Sequence, residues 1–293
     1  MDLNFYLRER AGWLEAALTR SIQDESIPET LRRAMRYSLE AGGKRIRPIL
    51  CFAGAEAAGG SADRVMPAAV ALEMIHTFSL IHDDLPAMDD DSMRRGKPTS
   101  HKVFGEAVAI LAGDGLIAEA FSVLSELKGG VDPRVLVEAI HDIASATGGR
   151  GMTGGQAIDI ESTGAALCEA DLARLHRYKT GALIRVSAVT GARLSGGTRE
   201  QLDALGRYGE CVGLAFQIAD DILDVEGDQS EIGKDVGSDQ AKGKSTYPAA
   251  IGIEAARGQA RALVDQAVSA VAIFGEAAEP LRQIARYIVE RKR

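Results

Sequence analysis

The chain has 293 residues, of which 46% are hydrophobic, and this content predicts one large core and a single domain over residues 1–293. Its formal net charge of −8 argues against a general nucleic-acid surface. Three scattered cysteines without metal-binding or redox spacing predict a reducing, cytoplasmic location. No signal-peptide region is evident, and no run approaches the ~20 apolar residues of a membrane span, so none is expected.

Helical patterns dominate, and no alternating strand with a hairpin turn is evident, so the chain is predicted to be all-α. Glycine and proline mark the predicted helix ends. After an amphipathic segment that begins at Leu3, the predicted helices cover residues 28–41, 48–59, 63–84, 106–128, 133–147, 169–193 and 198–225. A polar, glycine-rich stretch at 227–245 is predicted to be a mobile loop, and helices resume at Tyr247.

The stretch from 73 to 95 concentrates charge at the end of an apolar helical run. It contains five aspartates and two arginines, namely Asp83, Asp84, Asp89, Asp90, Asp91, Arg94 and Arg95. Carboxylate oxygens suit Mg²⁺, and arginine side chains can hold a diphosphate bidentately. Because Pro86 disfavours helical geometry at Leu85, the helix is predicted to end or kink among its acids. The pattern favours a metal–diphosphate site over an acidic helix end exposed to water.

A second acidic stretch, FQIADDILD at 216–224, has the same character. Asp220 and Asp224 are four residues apart and therefore share one helix face, with Asp221 beside them. Gln217 lies one turn earlier. Two carboxylate-bearing helices that face one cavity would hold several Mg²⁺ ions around one diphosphate and activate it as a leaving group.

A basic, glycine-rich motif, GGKRIRP at 42–48, predicts a second anion site. Lys44 and Arg47 lie just before or at a predicted helix start, where free N–H groups and the helix dipole attract anions. His76 is seven residues before Asp83, on nearly the same helix stripe, although a lone histidine on a buried helix is more often structural. No functional role is assigned to His82, taken as structural, or to His101 and Lys102, placed in a loop.

In this order and spacing, the motifs resemble those of bacterial-type short-chain trans-prenyl diphosphate synthases, most closely farnesyl diphosphate synthases. The motifs are GGKRIRP, DDLPAMD, RRGKPTSH, GQAID at 155–159, KTG at 179–181, FQIADDILD and GKD at 233–235. The resemblance covers essentially the whole chain. It implies an all-α, isoprenoid-synthase-type helical bundle with a central active-site cavity, a homodimer and Mg²⁺. The implied reaction condenses isopentenyl diphosphate with dimethylallyl and then geranyl diphosphate to give (2E,6E)-farnesyl diphosphate.

The resemblance also implies roles for individual residues. The metal ligands would be Asp83, Asp89 and Asp220, with Asp84, Asp221 and Asp224 as weaker or water-mediated candidates. The allylic diphosphate would be held by Arg94, Lys179 and Lys234, with Lys244 as a further lid candidate. Isopentenyl diphosphate would be held by Lys44, Arg47, His76 and Arg95. Thr180 and Gln217 would lie beside the allylic carbon with Lys179, and Gln156 and Asp159 would support the site.

Product length is predicted to depend on the helix before Asp83. Ser79 lies about one turn, or ~5.4 Å, below Asp83 on nearly the same face. The resemblance implies that Phe78, five residues before the motif, forms the floor of the pocket. A large aromatic at this position, with two extra residues inside the motif, resembles the farnesyl-producing pattern. The simpler interpretation is that Phe78 is an ordinary core residue.

Four alternatives stay open at this point. The product could be geranylgeranyl diphosphate. A terpene cyclase shares the fold and one acidic motif but has no need of GGKRIRP. A non-catalytic partner subunit typically lacks one acidic motif, whereas both are intact. The pair His82–Asp83 also occurs in HD-type phosphohydrolases, but the chain has only five histidines, and the further metal-ligating histidines are not evident.

Overall fold

The computed structural model describes residues 1–127, 130–226 and 243–290. Within these ranges the α-helices are α1 (Leu3–Ser21), α2 (Glu29–Leu39), α3 (Ile46–Ala57), α4 (Ala62–Asp83), α5 (Ser100–Phe104), α6 (Glu106–Ser125), α7 (Pro133–Thr147), α8 (Met152–Glu161), α9 (Glu169–His176), α10 (Ala182–Leu194), α11 (Arg199–Glu226), α12 (Tyr247–Ile251), α13 (Ile253–Ala270) and α14 (Glu279–Glu290). A 3₁₀ segment, Ala272–Ala278, precedes α14. The all-α prediction is confirmed. Lys234, most of the predicted mobile loop and the end predicted at residue 128 lie outside the described residues.

Helix α4 lies at the centre of the bundle, packed between α3 and α6. Most of its side chains are buried because the helix is apolar on nearly every face. Helices α3 and α10 cross closely because each has a glycine at the contact. A Cβ added at Gly54 would lie 2.1 Å from the Ala188 carbonyl oxygen, and one at Gly191 would lie 1.9 Å from the Cys51 carbonyl oxygen.

The single helix predicted over 169–193 is interrupted. Helix α9 ends at His176, a π-helical turn covers Arg177–Gly181, and α10 follows. Glycines on two other helices contact this turn, since a Cβ at Gly155 would lie 2.2 Å from the Lys179 nitrogen and one at Gly213 would lie 2.6 Å from the Gly181 Cα. Single π turns are frequent at functional sites. The turn contains Lys179 and Thr180, two of the predicted site residues.

Three short elements differ from the sequence prediction. A hairpin pairs β1 (Met93–Arg94) with β2 (Lys97–Pro98), although no hairpin was expected. Its two-residue loop, Arg95 and Gly96, has φ values of 52° and 74°, the pattern of a type I′ turn. The predicted loop at residues 101–102 is wrong because both residues lie in helix α5. Helix α8 contains the GQAID motif, for which no element was predicted.

Two helices are long and apolar enough to cross a membrane by length and composition, contrary to the sequence expectation. They are α4, with 61% of its apolar window buried, and α6, with 33% buried. Helix α4 is mostly buried inside the bundle, and a core helix of a soluble protein passes the same test. Helix α6 packs one face on α4 and leaves Ile110 and Leu111 exposed.

Candidate active site

The first acidic cluster forms where α4 ends. As predicted, the helix stops among its acids, with Asp83 as its last residue and Asp84 as its C-cap, two residues before Pro86. The chain then turns back, and the Asp89 nitrogen donates to the Asp83 carbonyl oxygen at 2.9 Å. Burial raises the pKa of Asp83, the charge of Lys179 opposes that rise, and Asp89 adds to it. The turn therefore holds two carboxyl-bearing residues together beside a cation.

Asp84 has a different environment from its neighbour. Its side chain is only 4% exposed, and Oδ1 accepts a hydrogen bond from Arg94 Nε at 2.5 Å. Arg94 also contacts Asp91 Oδ2 at 3.2 Å. Burial raises the pKa of Asp84 to about 6, although Arg94 opposes the rise. Asp84 is thus a partner of Arg94, in line with the indirect role considered from the sequence.

The second acidic cluster lies near the end of α11. Asp221 is buried, and both of its carboxylate oxygens accept hydrogen bonds. Oδ1 accepts from Gln217 Nε2 at 3.0 Å, and Oδ2 accepts from the backbone nitrogen of Tyr247 at 2.9 Å. Gln217 Oε1 in turn accepts from Thr180 Oγ1 at 3.0 Å. The structure therefore links Thr180, Gln217 and Asp221 in one chain of hydrogen bonds.

Asp220 and Asp224 are both half-buried, one turn apart on α11. Burial lowers the pKa of Arg47, and the charge of Asp220 is among those that oppose this change. The end of α11 and the start of α3 thus interact electrostatically, although their residues are far apart in the sequence. The two acidic stretches and the basic motif belong to one region of the bundle.

A cation cluster consists of Arg47, His76 and Arg95. Arg47 Nε and His76 Nδ1 are buried and have no hydrogen-bond partner among the residues that the structure describes. Burial lowers the pKa of Arg47 to about 10, with Glu73 opposing the shift and Arg95 adding to it. Burial, followed by the charges of Arg47 and Arg95, lowers the pKa of His76 well below its usual range. Desolvated guanidinium groups with unpaired nitrogen favour binding of an anion.

Arg45 pairs with Glu73, an acid whose charge acts on Arg47 and Arg95 of the cation cluster. This pairing was not predicted from the sequence. Arg45 adopts a left-handed backbone conformation at φ 51°, and its side chain is buried. It contacts Glu73 Oε1 at 2.5 Å and Glu15 Oε1 at 2.8 Å, and it donates to the Leu39 carbonyl oxygen at 2.6 Å. The signal was a glutamate within the apolar run of α4, since a buried charge needs a partner.

Arg95 reaches the glycine motif directly. Its guanidinium donates to the Gly42 carbonyl oxygen. A Cβ at Gly43 would lie 2.5 Å from the Arg95 Cζ atom, and Gly43 also has a φ of 125°. The backbone conformation therefore favours glycine at residue 43, and the absence of a side chain there leaves room for the Arg95 guanidinium. Lys44 follows on the same loop and is exposed.

Two lysines lie beside the first acidic cluster. Lys179 Nζ is 2.6 Å from Asp159 Oδ2, and Lys244 Nζ is 3.2 Å from Asp89 Oδ1 and 3.5 Å from Asp159 Oδ2. Although burial opposes the change, the two lysines lower the pKa of Asp159 below its usual range. Asp159 thus forms ion pairs with both lysines.

The segment around Lys244 is attached to the connection between α8 and α9. The Gly164 nitrogen donates to the Gly243 carbonyl oxygen at 3.0 Å. Ser245 Oγ donates to the Ala165 carbonyl oxygen at 2.7 Å. These contacts hold Lys244 close to the acidic cluster.

The residues predicted to control chain length lie on α4. Phe78 is half-buried and packs against the core, and its ring meets the His82 ring edge-on with centroids 5.2 Å apart. His82 Nε2 contacts the Ile110 carbonyl oxygen on α6 at 3.1 Å, so this face of α4 points toward α6. Ser79 Oγ donates to the His76 carbonyl oxygen at 2.8 Å.

The structure thus groups the predicted residues into an acidic region with lysines and a separate cation cluster. Within residues 1–127, 130–226 and 243–290, no three carboxylate, imidazole or thiolate side chains form a group that could hold a metal ion. Mg²⁺ usually takes only one or two protein carboxylates together with substrate phosphate oxygens. The carboxylates of the two acidic stretches are oxygen donors of the kind that Mg²⁺ binds.

Comparison with known proteins agrees with this geometry. A family model described as polyprenyl synthetase matches residues 28–281. The chain is 49% identical to a farnesyl diphosphate synthase from Geobacillus stearothermophilus, over 88% of this chain and 87% of that protein. It is 46% identical to the chloroplastic geranylgeranyl pyrophosphate synthase 11 of Arabidopsis thaliana, over 98% of this chain and 82% of that protein.

A solved structure of an FPP/GFPP synthase from Zymomonas mobilis matches with a TM-score of 0.87 and 40% identity, over 98% of this chain and 99% of that one. The fold is therefore that of the all-α isoprenoid synthases. The chain belongs to the polyprenyl synthetase family of prenyltransferases.

Proposed function

We propose that the chain condenses isopentenyl diphosphate with dimethylallyl and then geranyl diphosphate, giving (2E,6E)-farnesyl diphosphate. The observation that carries the proposal is the presence of two kinds of cation cluster. Lys179, Lys244 and Arg94 are paired with carboxylates, whereas Arg47 and His76 retain buried nitrogens without partners among the described residues. Two such clusters suit two diphosphates, one bound with metal and one bound by guanidinium groups alone.

The carboxylates fit Mg²⁺ by their chemistry, because hard oxygen donors at the ends of two helices would hold ions that bridge to a diphosphate. Asp83, Asp89 and Asp220 are the residues proposed to hold the metal, with Asp224 nearby. Asp84 and Asp221 already accept hydrogen bonds, so the proposed ligand set is narrower than the sequence indicated. Bound Mg²⁺ would neutralise charge on the departing diphosphate.

The chain's own residues would bind and orient the substrates. Lys179 and Lys244 would exchange their carboxylate partners for diphosphate oxygens of the allylic substrate. Thr180 and Gln217 would direct their dipoles toward the allylic carbon as positive charge develops there. In this proposal no side chain serves as a dedicated base, and the departed diphosphate takes the final proton.

The farnesyl product is proposed from Phe78. Its ring lies on the α4 face that points toward α6. There it would stop the growing chain by steric overlap, because a close-packed interior does not deform enough to admit a further isoprene unit. Geranylgeranyl diphosphate is the second candidate, because similar proteins include both farnesyl and geranylgeranyl diphosphate synthases. The product chain length decides between the two.

A homodimer is proposed from the exposed apolar side chains of α6 and α7. Ile110 and Leu111 are 42% and 56% exposed, and Val137 is 65% exposed. Such a surface on a helix that also packs on α4 would be covered by a second copy of the chain. Sedimentation of a Leu111→Glu variant as a monomer is the expected result, and an unchanged wild-type sedimentation coefficient for that variant would contradict it.

Incubation of the purified protein with Mg²⁺, labelled isopentenyl diphosphate and each allylic diphosphate tests the proposal. Chromatography of the dephosphorylated products is expected to show a fifteen-carbon alcohol from both dimethylallyl and geranyl diphosphate. Cyclic hydrocarbons formed without consumption of isopentenyl diphosphate would identify a terpene cyclase instead. Absence of any product from the isolated protein would support a non-catalytic subunit.

A further inference from the structure

We propose that Asp221 is a positioning residue that fixes the direction of the Thr180 hydroxyl through Gln217, and that it is not a metal ligand. The inference rests on the proposed function, which places Thr180 beside the reacting carbon. It follows from the hydrogen-bonding capacity of three side chains, each of which is in contact with the next. The distances along the chain are 3.0 Å from Thr180 to Gln217 and 3.0 Å from Gln217 to Asp221.

A carboxylate accepts hydrogen bonds and donates none. The group of Gln217 that faces Asp221 Oδ1 must therefore be its NH₂ group, which turns the amide carbonyl toward Thr180. A carbonyl oxygen only accepts, so the Thr180 hydroxyl must donate its hydrogen to Gln217. Each direction in the chain follows from the fact that its last member is an anion.

The direction of these hydrogen bonds determines what the Thr180 hydroxyl presents to other groups. Once its hydrogen is committed to Gln217, the hydroxyl presents only oxygen lone pairs to any other neighbour. A lone pair directed at an electron-deficient carbon stabilises the charge that develops in the transition state, whereas a hydroxyl hydrogen would destabilise it. Asp221 would thus determine the sign of the dipole that the substrate meets, although it does not touch the substrate.

The second carboxylate oxygen prevents Asp221 from turning. Oδ2 accepts from the Tyr247 backbone nitrogen at 2.9 Å. Tyr247 is fully buried, and its ring stacks on His176 at 5.7 Å. His176 directly precedes the π turn that contains Thr180. His176 Nε2 also lies 3.6 Å from Oδ2. Asp221 is therefore held at both oxygens and is only 2% exposed, which leaves a metal ion little access to it.

Asp221→Asn tests the direction of the chain without changing its shape. The asparagine carbonyl would accept from Tyr247, its NH₂ would face Gln217, and the Gln217 amide would rotate to accept from it. Thr180 would then accept from Gln217 and present its hydrogen to the substrate. The expected result is a kcat about 10–100-fold lower, with KM for isopentenyl diphosphate within about threefold of wild type.

A double-mutant cycle with Thr180→Val distinguishes a positioning role of Asp221 from a merely structural one, because only the positioning role depends on the Thr180 hydroxyl. If Asp221 acts through the Thr180 hydroxyl, Asp221→Asn costs less than about threefold in kcat once that hydroxyl is absent. If the double variant instead loses kcat by the product of the two single-variant factors, the proposal is overturned. Should Asp221→Asn fail to fold, Asp221→Ala removes the same anion and is expected to be equally non-multiplicative with Thr180→Val, and independent losses there would overturn the proposal.

Asp220→Asn is the matched control, since it alters the neighbouring acid that is proposed to bind metal. Calorimetry measures Mg²⁺-dependent binding of the unreactive thiolo analogue of dimethylallyl diphosphate, in which sulfur replaces the bridging oxygen. Binding is expected to weaken in Asp220→Asn and to match wild type in Asp221→Asn, and equal weakening in both would overturn the proposal. This binding measurement needs no turnover, so it tests the role of Asp221 even if the wild-type protein forms no product. Absence of product from the wild-type protein would instead refute the proposed function.

Discussion

The two adjacent-aspartate pairs, Asp83–Asp84 and Asp220–Asp221, are alike in sequence but are held differently. In both, the second aspartate is almost fully buried, at 3% exposed for Asp84 and 2% for Asp221. Asp84 contacts a guanidinium, Arg94, whereas Asp221 accepts hydrogen bonds from an amide side chain and a backbone nitrogen and lies 3.6 Å from His176 Nε2. The second aspartate of each pair is thus held by partners within the protein, and the first is the one proposed to hold metal.

The difference in partners has consequences for each pair. At the first pair, the supporting aspartate anchors a cation that is proposed to hold a diphosphate. At the second pair, the supporting aspartate is proposed to orient the hydrogen-bond chain through Gln217 to Thr180, which is proposed to lie beside the reacting carbon. In this proposal, Asp84 affects how substrate charge is bound, and Asp221 affects the direction of the Thr180 hydroxyl.

The largest effect is expected from the first member of each pair. Asp83→Asn and Asp220→Asn should each lower kcat by about 10³-fold or more, because each removes a group proposed to hold the metal that stabilises the leaving diphosphate. Steady-state kinetics at saturating Mg²⁺, with circular dichroism as a check of folding, measures this. Asp203→Asn, an exposed acid on the same helix α11, is the control and should stay near wild-type rate. Near-normal turnover of either test variant would refute the paired-cluster interpretation.

The next effect separates the two diphosphates. Arg47→Ala should raise KM for isopentenyl diphosphate by about 10–100-fold, because a desolvated charge-assisted hydrogen bond contributes roughly 1.5–3 kcal/mol. Lys179→Ala should instead raise KM for the allylic substrate. Initial rates with each substrate varied in turn provide the measurement. Equal shifts for both substrates in the Arg47 variant would mean that the cation clusters are not specific.

A smaller effect is expected on product length, with little change in rate. Phe78→Ala should lengthen the pocket along α4 and shift product toward the twenty-carbon diphosphate. Ser79→Phe should shorten it and favour the ten-carbon product, since packed interiors do not open by a whole isoprene unit at low cost. Chromatography at equal conversion compares the variants. A constant fifteen-carbon fraction in both would place the floor elsewhere.

The smallest effect concerns stability and pH. Folding raises the pKa of Asp84 from 3.8 to about 6, so the folded state favours the protonated form. The stability that this group contributes is present below about pH 4 and is lost as pH rises through about 6. The Tm of metal-free protein should therefore fall less between pH 4.5 and 7 in Asp84→Asn than in wild type. A steeper fall in the variant would contradict the assigned environment.

Glycine, proline and helical periodicity in the sequence predicted most of the helices. They did not predict the contacts between distant residues that hold the site residues in place. Helix boundaries followed from glycine and proline, and the end of α4 followed from Pro86. The π turn was not predicted because it depends on glycines of α8 and α11. The burial of Asp221 was not predicted because one of its two partners, Tyr247, lies 26 residues downstream. The pairing of Arg45 with Glu73 likewise joins positions 28 residues apart.

The measurement that most directly tests the account is calorimetric binding of each diphosphate with and without Mg²⁺. We expect isopentenyl diphosphate to bind at the cluster of Arg47, His76 and Arg95 without metal, because the two guanidinium groups are cationic and Arg47 Nε is buried without a hydrogen-bond partner among the described residues. We expect the thiolo analogue of dimethylallyl diphosphate to bind tightly only when Mg²⁺ is present, because Asp83 and Asp220 otherwise repel it. Metal-independent binding of the analogue, or metal-dependent binding of isopentenyl diphosphate, would contradict the central claim that the two diphosphates occupy physically different sites.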